Sequence, residues 1–136
     1  QGLFFPGYGP EDANPDIGDS AITETYGIGG FTMASAPAVV RFVGAASVQA
    51  ALDHTRDMYE ITQGTNTQLT IPVMDFRGAP MGIDIRKVVD SGITPVINTG
   101  MAHKKPGIGQ VGAGIVRAPM ACFTQALEAL AQTLGI

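Results

Sequence analysis

Residues 95–119 read PVINTGMAHKKPGIGQVGAGIVRAP, and the arrangement of the rest of the chain follows from this stretch. A β-branched run closes on Asn98-Thr99-Gly100. His103, Lys104 and Lys105 come next. Gly107, Gly109, Gly112 and Gly114 then fall within eight residues, and Arg117 stands two positions before Pro119. A strand, an open glycine backbone, basic side chains and a helix start are the parts of an anion site. Glycines let backbone N–H groups approach a ligand, and a helix N-terminus carries partial positive charge. The expectation is that Asn98, Thr99, His103, Gly109, Gln110 and Arg117 border one concave pocket for a small anion. The competing reading is a glycine-rich turn packed against a neighbouring element. Gly107, Gly109 and Gly112 also spell G-x-G-x-x-G, but Lys105-Pro106 precede them rather than a strand. A dinucleotide site is therefore rejected.

Outward from this stretch, Pro119–Leu134 reads as a final helix with Met120, Phe123, Leu127, Leu130 and Leu134 on one side. Ile93–Asn98 is an apolar strand, buried on both faces. Ile83–Ser91 is a short helix closed by Gly92, and Asp75–Gly82 a loop. Thr67–Val73 is a strand in which Pro72 marks an edge or an end. Ser47–Gln63 is the clearest helix, with Ser47 as N-cap and Gly64 as its stop. Pro37–Ala45 reads as a short apolar helix. Ile22–Phe31 is a short strand or turn ending at Gly29-Gly30. Residues 1–20 form an ordered, irregular loop rich in glycine, proline and acids. The pattern predicts one α+β domain over residues 1–136, with a small mixed β-sheet, three to four helices and long glycine-rich loops.

Composition narrows the function classes. Hydrophobic residues make up 45% of the 136 positions and charged residues 15%. That low charge density predicts apolar surface covered by another domain or subunit. A net charge of −4 argues against a nucleic-acid partner. The single cysteine, Cys122, excludes an internal disulfide and a cysteine-based zinc site, and fits a reducing compartment. No apolar run reaches the length of a membrane span. The chain starts at Gln1 rather than at methionine, as a piece of a longer polypeptide would.

Several constellations remain open between a structural and a chemical reading. Glu11, Asp12, Asp16 and Asp19 can meet a hard cation or a substrate, or Asp12, Asn14 and Asp16 can cap turns; the acids do not match a calcium loop, and no metal is expected. Glu24, with Thr23, Thr25 and Gly27–Gly30, offers a carboxylate beside open backbone, or simply a strand end with a glycine turn. Asp84, Arg86 and Lys87 form a structural ion pair or a site. His54 sits on a solvated or paired helix face. His103, leaving a strand into a glycine loop, can donate to an oxyanion or shuttle a proton.

Four segments carry a family resemblance: FPGYGPEDANPDIGDS at 5–20, FRGAPMGIDIRKVV at 76–89, TPVINTG at 94–100 and GIGQVGAGIVRAPMACF at 107–123. They resemble the YahG/YlbE-like family, whose members include a subunit of bacterial oxamate carbamoyltransferase. The resemblance runs over essentially the whole chain and implies the C-terminal part of a longer protein, with the family's N-terminal domain as a partner. It further implies a cytoplasmic enzyme of allantoin (purine-ureide) catabolism, oligomeric and assembled with an FdrA-like partner subunit. That enzyme moves a carbamoyl group between oxalurate and phosphate, giving oxamate and carbamoyl phosphate, and no cofactor is implied. Matched to that chemistry, the Gly107–Gly114 backbone (Gly107, Gly109, Gly112) with Lys104 or Lys105 would cradle phosphate. His103 or Thr99 would face the carbamoyl oxygen, and Arg117 would clamp a carboxylate. The Ser-Thr-Arg-Thr phosphate motif of the aspartate and ornithine transcarbamoylases is absent. A non-catalytic interaction module is the competing class.

Overall fold

The computed structural model describes residues 3–15, 19–36, 38 and 47–136. The helix expected over residues 37–45 lies, Ala38 apart, outside them. The elements in order are β1 (Leu3–Phe4), α1 (Asp19–Glu24), a 3-10 segment (Gly29–Ser35), α2 (Val48–Ile61), β2 (Thr62–Ile71), β3 (Arg77–Ile83), α3 (Ile85–Ser91), β4 (Val96–Ala102), β5 (Gln110–Arg117) and α4 (Met120–Leu134). The α+β class holds.

Among the described residues the strands form two antiparallel sheets, β1-β5-β4 and β2-β3, where one small mixed sheet was expected. The connections give the reason. Residues 72–76 join β2 to β3 and residues 103–109 join β4 to β5, and such short links leave only antiparallel pairing.

Helix α2 forms where the sequence placed it. The Ser47 hydroxyl accepts the Ala50 N–H at 3.1 Å, and Ala51, Thr55, Met58 and Ile61 recur on one buried face. It does not run to Gln63. Thr62 turns extended at φ −99° and ψ 158° and leads straight into β2. The expected loop Asp75–Gly82 is largely strand β3. Its glycines and proline hid it, but Pro80 is tolerated because both strands of a two-stranded ribbon are edges. Residues 22–31, expected as strand or turn, hold the end of α1, a turn over 25–27 and the start of the 3-10 segment, and no strand.

That segment occupies the centre of the molecule. Phe31 packs with Met58, Ile61, Val88 and Val96, while Met33 packs with Ala51 and Ala113. Ile115 of β5 touches both groups and joins them into one core. The glycine-rich stretch is less of a loop than expected. Gly107 and Gly109 shape the β4–β5 turn, but Gly112 and Gly114 lie inside β5 opposite Met101 and Thr99.

Candidate functional site

Strand β4 is an edge of its sheet, so alternate N–H groups point away from β5 and need other partners. Val96 N–H donates to the Met58 sulfur at 3.4 Å. Asn98 N–H donates to the Glu24 carboxylate, 3.0 Å from each oxygen. Oε2 of Glu24 also accepts the Gly30 N–H at 3.0 Å. A Cβ at Gly29 would collide with the Glu24 carboxylate, and one at Gly30 with the Val96 carbonyl. The glycine pair therefore lets a carboxylate seat between the 3-10 segment and the free edge of β4.

Glu24 is buried at 5% exposure. Burial pushes its pKa up from an ordinary 4.5 to about 7, against the opposing pull of the Gly30 and Asn98 N–H bonds. Oδ1 of Asn98 is buried and has no hydrogen-bond partner among the described residues. Thr99, the next residue, is buried at 8% exposure. An acid poised near neutrality and an acceptor awaiting a donor thus sit on one strand edge. The sequence left Glu24 open between a carboxylate beside open backbone and a strand end with a glycine turn. The signal that marks it is the glycine pair five residues on.

His103 closes β4 at the start of the turn. Its ring Nδ1 accepts the Lys105 N–H at 2.8 Å, so the neutral ring carries its proton on Nε2. Nε2 faces Asp12 Oδ1 at 3.6 Å, and the Tyr8 ring meets the imidazole edge-on at 5.9 Å between centroids. Asp12 in turn accepts the Gly9 N–H at 3.1 Å. Backbone bonds sew the same region together: Lys104 N–H to Asp12 O and Asn14 N–H to Ala102 O, both 2.8 Å. The Lys104 ammonium bonds the Glu11 carbonyl. His103 therefore clamps the N-terminal loop onto the hairpin turn, and Asp12 acts as the turn cap that the acidic segment suggested. Asp16 lies outside the described residues.

The hairpin does not bring all the expected residues together. Arg117 pairs across from Val96 at the open end, whereas His103 stands at the turn end. An antiparallel ladder of this length puts its two ends far apart. Arg117 instead donates to the Thr94 carbonyl at 2.8 Å and lies 3.6 Å from Asp57 and 3.5 Å from His54 Nδ1. Burial, then the Arg117 charge, holds His54 below its ordinary pKa. Gln110 folds back over the hairpin, its amide donating to the Gly112 carbonyl at 2.8 Å.

The glycines divide by role. Gly107 and Gly109 adopt φ +85° and +91° at an exposed tip, where turn geometry requires them. Gly112 is set by packing, because a Cβ there would strike Met101 and the β1 backbone. It pairs with Phe4 of β1 on one side and with Met101 of β4 on the other.

These features define a small α+β unit with a near-neutral carboxyl on a sheet edge and an Asp–His clamp at the adjoining turn. The chain belongs to the family of AllG and YahG. It is 63% identical over all its residues to the oxamate carbamoyltransferase subunit AllG of Escherichia coli K12, covering 32% of that protein. To the uncharacterized protein YahG of the same organism it is 56% identical over 99% of its length, covering 28%. A crystal structure of a conserved protein of unknown function from Enterococcus faecalis V583 superposes with a TM-score of 0.89 at 54% identity, over 98% of this chain and 32% of that one. The chain thus spans about a third of the length of these relatives. No family model matches it.

Proposed function

We propose that this chain is the C-terminal part of a subunit that transfers a carbamoyl group between oxalurate and phosphate, yielding oxamate and carbamoyl phosphate. One observation carries the reading: the 63% identity, over all 136 residues of this chain, to a protein named as a subunit of oxamate carbamoyltransferase. In that reaction a phosphate oxygen attacks the ureido carbon, the carbon–nitrogen bond breaks, and the departing oxamate nitrogen takes up a proton. A carboxyl with a pKa near 7, as at Glu24, can supply that proton at neutral pH. Asn98, on the same strand edge, keeps its proposed substrate-binding role. Thr99 and His103 keep their proposed catalytic roles next to this edge. Lys104, Gly107, Gly109 and Gln110 keep theirs around the turn. Arg117, at the far end of the hairpin, serves a carboxylate only if the substrate or a partner reaches across β4.

The assembly proposed around this chain is cytoplasmic and oligomeric, with the N-terminal domain of the same protein and an FdrA-like subunit completing the active site. The test is carbamoyl phosphate formation from oxalurate and phosphate by the full-length protein with that partner. Turnover that falls at least tenfold in Asn98→Ala supports the reading. A complete assembly that binds neither substrate sinks it. A second reading, a non-catalytic module, draws on α4, which has no buried residue.

A further inference from the structure

A separate polar cavity of about 230 Å³ opens between Tyr59 of α2, residues Thr62–Thr65 of β2, Arg77 of β3 and Lys87 of α3. No carboxylate lines it. Two cations meet there, each held by neutral groups. The Arg77 guanidinium lies 3.6 Å above the centre of the Tyr59 ring, and the Tyr59 hydroxyl is fixed by donating to the Gly78 carbonyl at 2.7 Å. Lys87 Nζ donates to the Thr62 carbonyl at 2.7 Å. Among the described residues neither cation has an ion-pair partner. The chain is rich in acids, with 12 acidic residues against 8 lysines and arginines, and Arg56, Arg86 and Arg117 each have an aspartate, whereas Arg77 and Lys87, like Lys104 and Lys105 at the hairpin turn, have none among the described residues. Bringing two like charges to one cavity without a counter-ion is unfavourable until an anion enters. Lys87 retains two N–H donors and Arg77 its planar fork, the geometry suited to phosphate and carboxylate oxygens. Gln63 and Thr65 add neutral polar groups at the same wall.

We propose that the Tyr59–Arg77–Lys87 cavity binds a compact oxyanion, a phosphate or a carboxylate group. The proposal stands apart from the carbamoyl-transfer reading, since none of its residues is given a role there. It is tested on the full-length protein in chloride buffer by calorimetric titration with inorganic phosphate and, separately, with oxamate. A saturable site is expected, weakened tenfold or more in Arg77→Gln and in Lys87→Gln but unchanged in Arg56→Gln. Arg77→Lys and Lys87→Arg, which keep the charge, should retain most of the binding and control for misfolding. Tighter phosphate identifies a phosphoryl ligand, and tighter oxamate a carboxylate ligand. The proposal is overturned if neither probe titrates, or if both Gln variants bind like the native protein. It is equally overturned if a structure of the full-length protein shows a side-chain carboxylate from another segment filling the cavity.

Discussion

Glu24 is the residue at which burial, hydrogen bonding and charge conflict most directly. Two backbone donors favour its anion, yet desolvation outweighs them and the folded-state pKa rises to about 7. The sign of the consequence is fixed. With a folded pKa above the ordinary 4.5, the native state holds the proton more tightly than the unfolded state. The contribution of Glu24 to stability is therefore greatest at acid pH and falls as pH rises from about 4.5 to about 7. Replacing Glu24 with Gln removes this dependence. The melting temperature of the variant should gain on the native protein across that window and then level off. Parallel melting curves with a constant offset would show that Glu24 does not titrate there. The seat itself is tested by Gly30→Ala. Its methyl group meets the Val96 carbonyl, so urea unfolding should show a loss of roughly 1–3 kcal/mol, the usual cost of overpacking. The sequence displayed the carboxylate and the glycine pair together. It gave no sign that they close the edge of a strand 70 residues away, because nothing local encodes a contact of that range.

At the level of elements, the reading succeeded where a period and a cap agreed and failed where glycine carried two meanings. Helix α2 had both signals, and Ser47→Ala should cost it about 1 kcal/mol in chemical denaturation. The stretch Gly107–Gly114 offered only glycines. A left-handed turn and a backbone packed against its neighbour ask for the same residue, so the end of the turn and the start of β5 were not legible. The two roles separate experimentally. Gly107→Ala places a methyl group in open space at φ +85°, and the strain alone should cost roughly 1–2 kcal/mol. Gly112→Ala drives a methyl group into the β1 backbone as well as Met101. It should expose the Phe5 and β1 amides to hydrogen exchange, which Gly107→Ala should leave protected. Equal exchange in the two variants would mean that β1 tolerates the crowding.

The whole molecule carries an apolar exterior that its core does not explain. No residue of α4 is buried, and Leu130 and Leu134 are 40% and 63% exposed. Val73 and Phe76, at the turn between β2 and β3, are 62% and 69% exposed, and β2 is exposed over most of its length. The low charge density of the sequence foretold such surfaces without locating them, since composition has no direction. Scattered apolar residues are normal on a monomer, but an amphipathic helix with no buried residue is an association surface. Relatives about three times as long have ample chain to cover them. Produced alone, residues 1–136 should self-associate or have low solubility, and sedimentation velocity should show weight-average mass rising with concentration. Replacing Leu130 and Leu134 with Gln should shift that distribution toward the 14.1 kDa monomer, because the helix then loses the two apolar side chains that a neighbour would bury. In a longer protein whose further domain covered α4, the same pair of changes should instead lower stability. A clean monomer at high concentration, or a double variant that sediments like the native chain, would locate the association elsewhere than on α4.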